Sequence, residues 1–178
     1  MSAIAGIAAR AAEMNLPFLL AGGHAVITHG HTRNTFDLDL VIRQSDREKW
    51  AALARERGYI FHSEGPNFLQ FDPPSAQMLP LDLMLMNGET FARLASEAVP
   101  APASAGGARS VSLLHLLALK CHAIKHGHKG RIVKDADDVI RLVQINRLDV
   151  RRPDVRDIFL KYGTTDFYEK VQRICGEG

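Results

Sequence analysis

Leu20-Ala-Gly-Gly-His-Ala-Val-Ile-Thr-His-Gly-His-Thr-Arg-Asn-Thr-Phe-Asp-Leu-Asp-Leu-Val41 is the stretch on which the reading of this chain turns. It begins at the end of a short apolar run, Leu16 to Leu20, which predicts a buried strand entering a tight turn at Ala21-Gly22-Gly23. It ends in Leu38 to Ile42, which predicts a second strand. Asp37-Leu38-Asp39 thus stands where a strand begins, although a carboxylate gains nothing from a pleated, half-buried surface. Residues two apart on a strand point to the same face, so Asp37 and Asp39 can converge on one point. Magnesium takes hard oxygen ligands and shares them with substrate phosphates, and two neighbouring carboxylates suit it. An isolated Asp-x-Asp is also a common strand-end feature, so the combination with other residues decides its meaning.

A third acid lies in Leu79-Pro-Leu-Asp82-Leu-Met-Leu-Met86, the most apolar run of the chain. An ionised carboxylate there needs a cation, a proton or a hydrogen-bonding partner to offset its desolvation. If this strand lies beside the one bearing Asp37 and Asp39, a divalent metal relieves the repulsion among all three. Asp82 would then be a general base or the organiser of one. A salt bridge from Asp82 to an arginine is the competing reading. At Gly22-Gly23 the missing Cβ atoms let backbone N–H groups approach an anion closely, as in a phosphate cradle. Arg33 and Thr35 follow in the loop and offer charge and a hydroxyl to a triphosphate, with plain loop solvation as the alternative.

Composition is that of a folded domain: 178 residues, 46% hydrophobic, with two widely separated cysteines, Cys121 and Cys175. No apolar run approaches the roughly 20 residues of a membrane span, and the start MSAIAGIAARAAEMN lacks a basic signal region, so the expected location is cytoplasmic. The net charge of +2 hides an asymmetry: residues 1–108 carry 8 Lys/Arg against 11 Asp/Glu, and residues 109–178 carry 14 against 9. An acidic, metal-competent half precedes a basic half that is either solvated or phosphate-facing. The first half reads as an α/β layer, with further strands at Tyr59 to His62, Phe68 to Phe71 and Leu79 to Met86. A capping box at Ser45-Asp46-Arg47-Glu48 opens a helix closed by Gly58. Trp50, Phe61, Phe68 and Phe71 read as core. Val99-Pro-Ala-Pro-Ala-Ser-Ala-Gly-Gly107 has linker composition, which places a boundary between residues 1–100 and a helical subdomain, 101–178, packed on the core. Ser112, Pro153 and Thr165 mark helix starts in the second half.

The run from Leu20 to Val41 resembles the signature of the DNA polymerase β-like nucleotidyltransferase superfamily, closest to the minimal nucleotidyltransferases and the AbiEii/MenA-type toxin group. The resemblance implies a nucleotidyltransferase fold, a mixed twisted sheet with flanking helices, followed by a helical C-terminal subdomain. It implies that Gly22 and Gly23 bind the triphosphate, that Asp37 and Asp39 bind Mg2+ or Mn2+, and that Asp82 completes the site. Ser112-Leu-Leu-His-Leu-Leu-Ala-Leu-Lys120 and Gly130-Arg-Ile-Val-Lys-Asp-Ala-Asp-Asp138 are similar to that group's helical motifs, which implies nucleotide-binding roles for Lys120, Lys134 and Asp135. On a helix Arg131, Lys134, Asp135 and Asp138 share one face by spacing, and intrahelical ion pairing alone would also account for them. The implied acceptor is a hydroxyl on tRNA, a protein or a small molecule, and a toxin-like member implies an antitoxin partner.

Cys121, His122, His126 and His128 cluster in sequence, and His122 with His126 has a zinc-compatible helical spacing, but no clear fourth ligand accompanies them. His29 and His31 share the loop of Arg33 and either approach a nucleotide or tune that loop. Two functions of different class therefore stand: a metal-dependent nucleotidyltransferase, and a nucleotide-binding or partner-binding module that keeps the fold without turnover.

Overall fold

The computed structural model describes residues 2–127 and 129–176. The chain divides into two compact units, the first made of residues 1–28 and 33–112, the second of residues 29–32 and 113–178.

The first unit is built on a seven-stranded mixed sheet. Its strands are β1 (Phe18–Leu20), β2 (Leu38–Arg43), β3 (Ile60–Gly65), β4 (Phe68–Asp72), β5 (Leu81–Met86), β6 (Val99–Pro100) and β7 (Arg109–Ser110). Their spatial order is β3-β4-β5-β2-β1-β7-β6. The β2–β5 and β1–β7 pairs are parallel and the others antiparallel. The helices of this unit are α1 (Ala3–Glu13), α2 (Gly22–Thr28), α3 (Arg47–Glu56) and α4 (Gly88–Ser96). Leu38, Leu40, Leu81, Leu83 and Trp50 are fully enclosed in its core with α1 and α3. Alternation along β5 is strict: Leu81, Leu83 and Leu85 face the core while Asp82, Met84 and Met86 face the other side.

Several local expectations change here. The predicted linker is part of the sheet: β6 pairs with β7, and the turn between them buries Ala105 and Ala108 in the core. Its small residues serve close packing, since a Cβ on Gly106 would lie 2.8 Å from the Ala5 Cα. The division between units consequently follows Ser112. Helix α3 starts at Arg47 with Asp46 at its N-cap, and no side-chain cap bond forms, because the Asp46 carboxylate accepts from Arg43 Nε at 2.7 Å. Trp50 and Phe71 are core residues, but Phe61 and Phe68 are 45% and 39% exposed. Phe61 lies on β3, one of the two edge strands of the sheet.

The second unit holds α5 (Leu113–His126), α6 (Lys129–Ile145), α7 (Pro153–Tyr162) and α8 (Thr165–Cys175). Pro153 occupies the first turn of α7, and the cap of α8 is Thr164, whose hydroxyl accepts from the Phe167 N–H at 3.2 Å. Leu116, Leu117, Val139, Leu142, Val155, Phe159 and Val171 form its interior. Among the described residues no helix is long and apolar enough to cross a membrane.

Candidate functional site

Parallel pairing of β2 with β5 sets Asp39 directly opposite Asp82. Their neighbours Leu38, Leu40, Leu81 and Leu83 all point into the core, so the period of two sends both carboxylates to the opposite, half-buried face. Asp37, two residues before Asp39, shares that side. Ligand oxygens of Asp37, Asp39 and Asp82 all lie within 4.8 Å of one another. At that spacing, like charges repel by roughly 3 kcal/mol per pair at an effective dielectric of about 20, before solvent screening. Three hard oxygen donors so placed fit a magnesium-type ion.

Gly22 begins α2 with φ +47°, in the left-handed region. A Cβ there would fall 1.8 Å from Asp39 Oδ2, so only glycine lets the turn lie against this carboxylate. At Gly23 a Cβ would fall 2.2 Å from Thr35 Oγ1 and 3.4 Å from an Arg33 guanidinium nitrogen. The two glycines, Arg33, Thr35 and the acids are thus one assembly. Within it the Thr35 hydroxyl donates to Asp37 Oδ1 at 3.0 Å, which fixes the carboxylate and gives Thr35 a positioning contact. Arg33 donates to the Asn34 carbonyl at 2.8 Å.

His24 was outside the residues picked out by sequence, although it directly follows the diglycine. Its Nε2 is buried with no hydrogen-bond partner. Burial holds the imidazole below its ordinary range; the Asp37 charge opposes this and Arg33 adds to it. A buried ring nitrogen without a partner is uncommon in a folded protein, and this one belongs to the residue directly after the diglycine.

On the other side of Asp82, a cleft of about 270 Å³ opens, lined among others by Phe36, Asp37, His62, Asp72, Pro80 and Asp82. Gln70 on β4 is the register partner of Asp82, and His62 on β3 lies 3.1 Å from Asp72 through Nδ1 and Oδ2. Periodicity gives no hint of these last residues, because only the strand order brings β3 and β4 beside β5.

Lys120, Lys134 and Asp135 belong to the helical unit. Lys120 is buried and donates to Asp135 Oδ1 and Asp138 Oδ2, both at 2.7 Å. Asp138 is 1% exposed and lies 3.9 Å from His31 Nε2, while Lys134 is exposed. The single charged face expected on α6 is therefore split: the carboxylates turn inward to Lys120 and Lys134 turns to solvent. Arg131, as a side chain, and His128 lie outside the described residues. Burial pushes the Cys121 thiol up to about 12. The His122 and His126 rings lie against each other at a tilt of 44°, with centroids 4.6 Å apart. The Asp37–Asp39–Asp82 group is the one cluster of three such donors among the described residues.

No protein-family profile matches the chain, and no curated protein matches it. Solved structures do. An antigenic nucleotidyltransferase-like protein from Paracoccidioides brasiliensis is 14% identical, with a TM-score of 0.59 over 97% of this chain and 90% of that one. The lincosamide antibiotic adenylyltransferase LnuA, lincomycin-bound, is 15% identical, with a TM-score of 0.58 over 79% and 94%. ANT(2")-Ia in complex with adenylyl-2"-tobramycin is 21% identical, with a TM-score of 0.51 over 96% and 91%. The fold is that of the nucleotidyltransferases, with a helical C-terminal part.

Proposed function

We propose that this chain transfers a nucleoside monophosphate from a nucleoside triphosphate to a hydroxyl acceptor, with Asp37, Asp39 and Asp82 holding Mg2+ or Mn2+. The observation that carries the reading is the meeting of these three carboxylates within 4.8 Å, Asp39 and Asp82 on adjacent strands and Asp37 just before the first of them, with Gly22 pressed against Asp39. When bound there, a divalent metal would supply Lewis-acid activation of a hydroxyl and charge neutralisation for pyrophosphate. Gly22 and Gly23 receive the phosphates on their backbone side, Arg33 adds a cation there, and Thr35 holds Asp37 in place. Asp82 takes the acceptor proton. The acceptor oxygen forms a bond to the α-phosphorus, the bond from that phosphorus to the bridging oxygen breaks, and pyrophosphate leaves with the electron pair.

Two of the structural relatives hold an antibiotic or an adenylylated antibiotic, which supports a small-molecule hydroxyl as acceptor. None of the relatives named above is a toxin, so a toxin role with an antitoxin partner rests on the sequence resemblance alone. Lys120, Lys134 and Asp135 remain nucleotide-binding candidates on that same resemblance.

Calorimetry with ATP, GTP and CTP in magnesium, followed by a pyrophosphate-release assay across RNA, protein and small-molecule acceptors, tests the reading. Binding and release are expected, with release abolished in Asp39→Ala. Binding with no release for any acceptor overturns transfer in favour of a nucleotide-binding module.

A further inference from the structure

A short segment ahead of the acidic triad belongs to the other unit of the chain. After Thr28, at the end of α2, residues 29–32 join the second unit, and the chain returns to the first at Arg33. Within the second unit three separate contacts fasten this segment to α6 and the residue that follows it. The His29 carbonyl accepts from Asn146 Nδ2 at 3.0 Å. Gly30, at φ +97°, lies so close to Ile145 that a Cβ would fall 3.2 Å from its Cγ2. His31 Nε2 stands 3.9 Å from Asp138 Oδ1, near enough for charge attraction and too far for a direct hydrogen bond.

Asp138 is a firm anchor for that contact. It is 1% exposed, and buried Lys120 donates to its other oxygen and to Asp135 Oδ1, each at 2.7 Å. A buried polar network satisfied in this way is rigid, whereas a half-buried imidazole on an irregular loop is mobile unless something holds it. Arg33 and Thr35 follow His31 by two and four residues, and both side chains border Gly23. Thr35 also donates to Asp37 Oδ1 at 3.0 Å. Their link to His31 is the backbone itself. A loop fixed in advance spares a ligand the entropy of ordering it, so fastening residues 29–31 keeps Arg33 and Thr35 ready beside the glycines.

We infer that His31 is a positioning residue: anchored on Asp138, which Lys120 holds in place, it fixes the loop whose Arg33 and Thr35 serve the triphosphate, and it does not touch the nucleotide itself. The inference rests on the transfer reading for what the loop receives. Of the two roles that the sequence leaves open for His31, it takes tuning of the loop over approach to a nucleotide.

The test measures, on the full chain, ATP affinity in magnesium by calorimetry and the NMR order parameters of the Arg33 and Thr35 amides without nucleotide. His31→Ala is expected to lose about tenfold in ATP affinity, about 1.4 kcal/mol, and to lower both order parameters. His31→Lys, which keeps a cationic donor facing Asp138, should restore most of each. Because His31 acts through Asp138, His31→Ala combined with Asp138→Asn should lose no more ATP affinity than the worse of the two single variants. Asn146→Ala removes a different fastening from an exposed position, so it carries the test if Asp138→Asn does not fold; it should weaken ATP binding in the same direction. Unchanged affinity and order parameters in His31→Ala overturn the proposal. So do losses that add in the double variant, which would mean that His31 contacts the nucleotide directly, and so does wild-type affinity in Asn146→Ala. No ATP binding by the wild type overturns nucleotidyl transfer, and the order parameters alone then decide the role of His31: lowered in His31→Ala they uphold it, unchanged they sink it.

Discussion

Asp39 and Asp82 face each other across adjacent parallel strands, in direct register, each flanked by leucines that anchor its strand in the core. The pairing of the two strands thus holds two carboxylates side by side. Replacing one should remove repulsion from the metal-free protein while removing the metal site. In metal-free buffer, Asp82→Asn is expected to melt at or above the wild-type temperature. Magnesium at about 100 times its dissociation constant stabilises the wild type by about 2.7 kcal/mol, and Asp82→Asn should lose that increment. A thermal melt with and without magnesium decides it; an equal magnesium response in both proteins removes Asp82 from the ligand set.

Gly22 carries both a left-handed φ and a Cβ direction filled by Asp39. Gly22→Ala should therefore destabilise by more than the roughly 1–2 kcal/mol of the backbone conformation alone. Gly107→Ala is the control, since Gly107 has φ +83° and nothing within 4 Å of its Cβ position. Denaturant unfolding of both, and of Gly22→Ala combined with Asp39→Ala, should show an excess at Gly22 that the second substitution relieves. Equal losses at the two glycines would mean that the carboxylate simply moves aside.

Lys120 lies between two carboxylates of its own unit, at 2.7 Å from each. Lys120→Met leaves Asp138 buried without its cation and should cost about 3–5 kcal/mol. Asp138→Asn in that background should restore part of the loss. If Lys120 serves the nucleotide instead, Lys120→Met will keep its unfolding free energy and lose ATP affinity, which calorimetry reads directly.

His24 gives a pH signature. Burial holds its folded-state pKa below the ordinary 6.5, so its neutral form is the one the fold accommodates. The resulting stability is fully present above about pH 6.5 and is lost as pH falls from there through the depressed folded value. Melting temperatures of wild type and His24→Gln, compared at about pH 7.5 and about pH 5, should show the steeper acid loss in the wild type. Asp37→Asn removes the opposing charge and should steepen it further. Parallel pH curves for wild type and His24→Gln would rule out this coupling.

The strands, most helix starts and the three aspartates follow from the order of residues, because periodicity of two or 3.6 and the chemistry of Gly, Pro and Asp act over a few neighbours. Leu38 to Ile42 and Leu79 to Met86 are legible as strands for that reason, and Asp37, Asp39 and Asp82 stand out as acids in apolar runs. The neighbourhoods are not local. That Asp39 meets Asp82, that His62 and Asp72 join Asp82 at one cleft, and that Lys120 is enclosed by Asp135 and Asp138 depend on strand order and helix packing. Composition also misleads where packing uses it: the Ala- and Gly-rich stretch at 99–107 has the residues of a linker, yet its lack of bulk lets it close the sheet against α1. Sequence singled out the candidate side chains, and the tertiary structure decided which of them touch, since contact between distant segments is set by burial and pairing across the core.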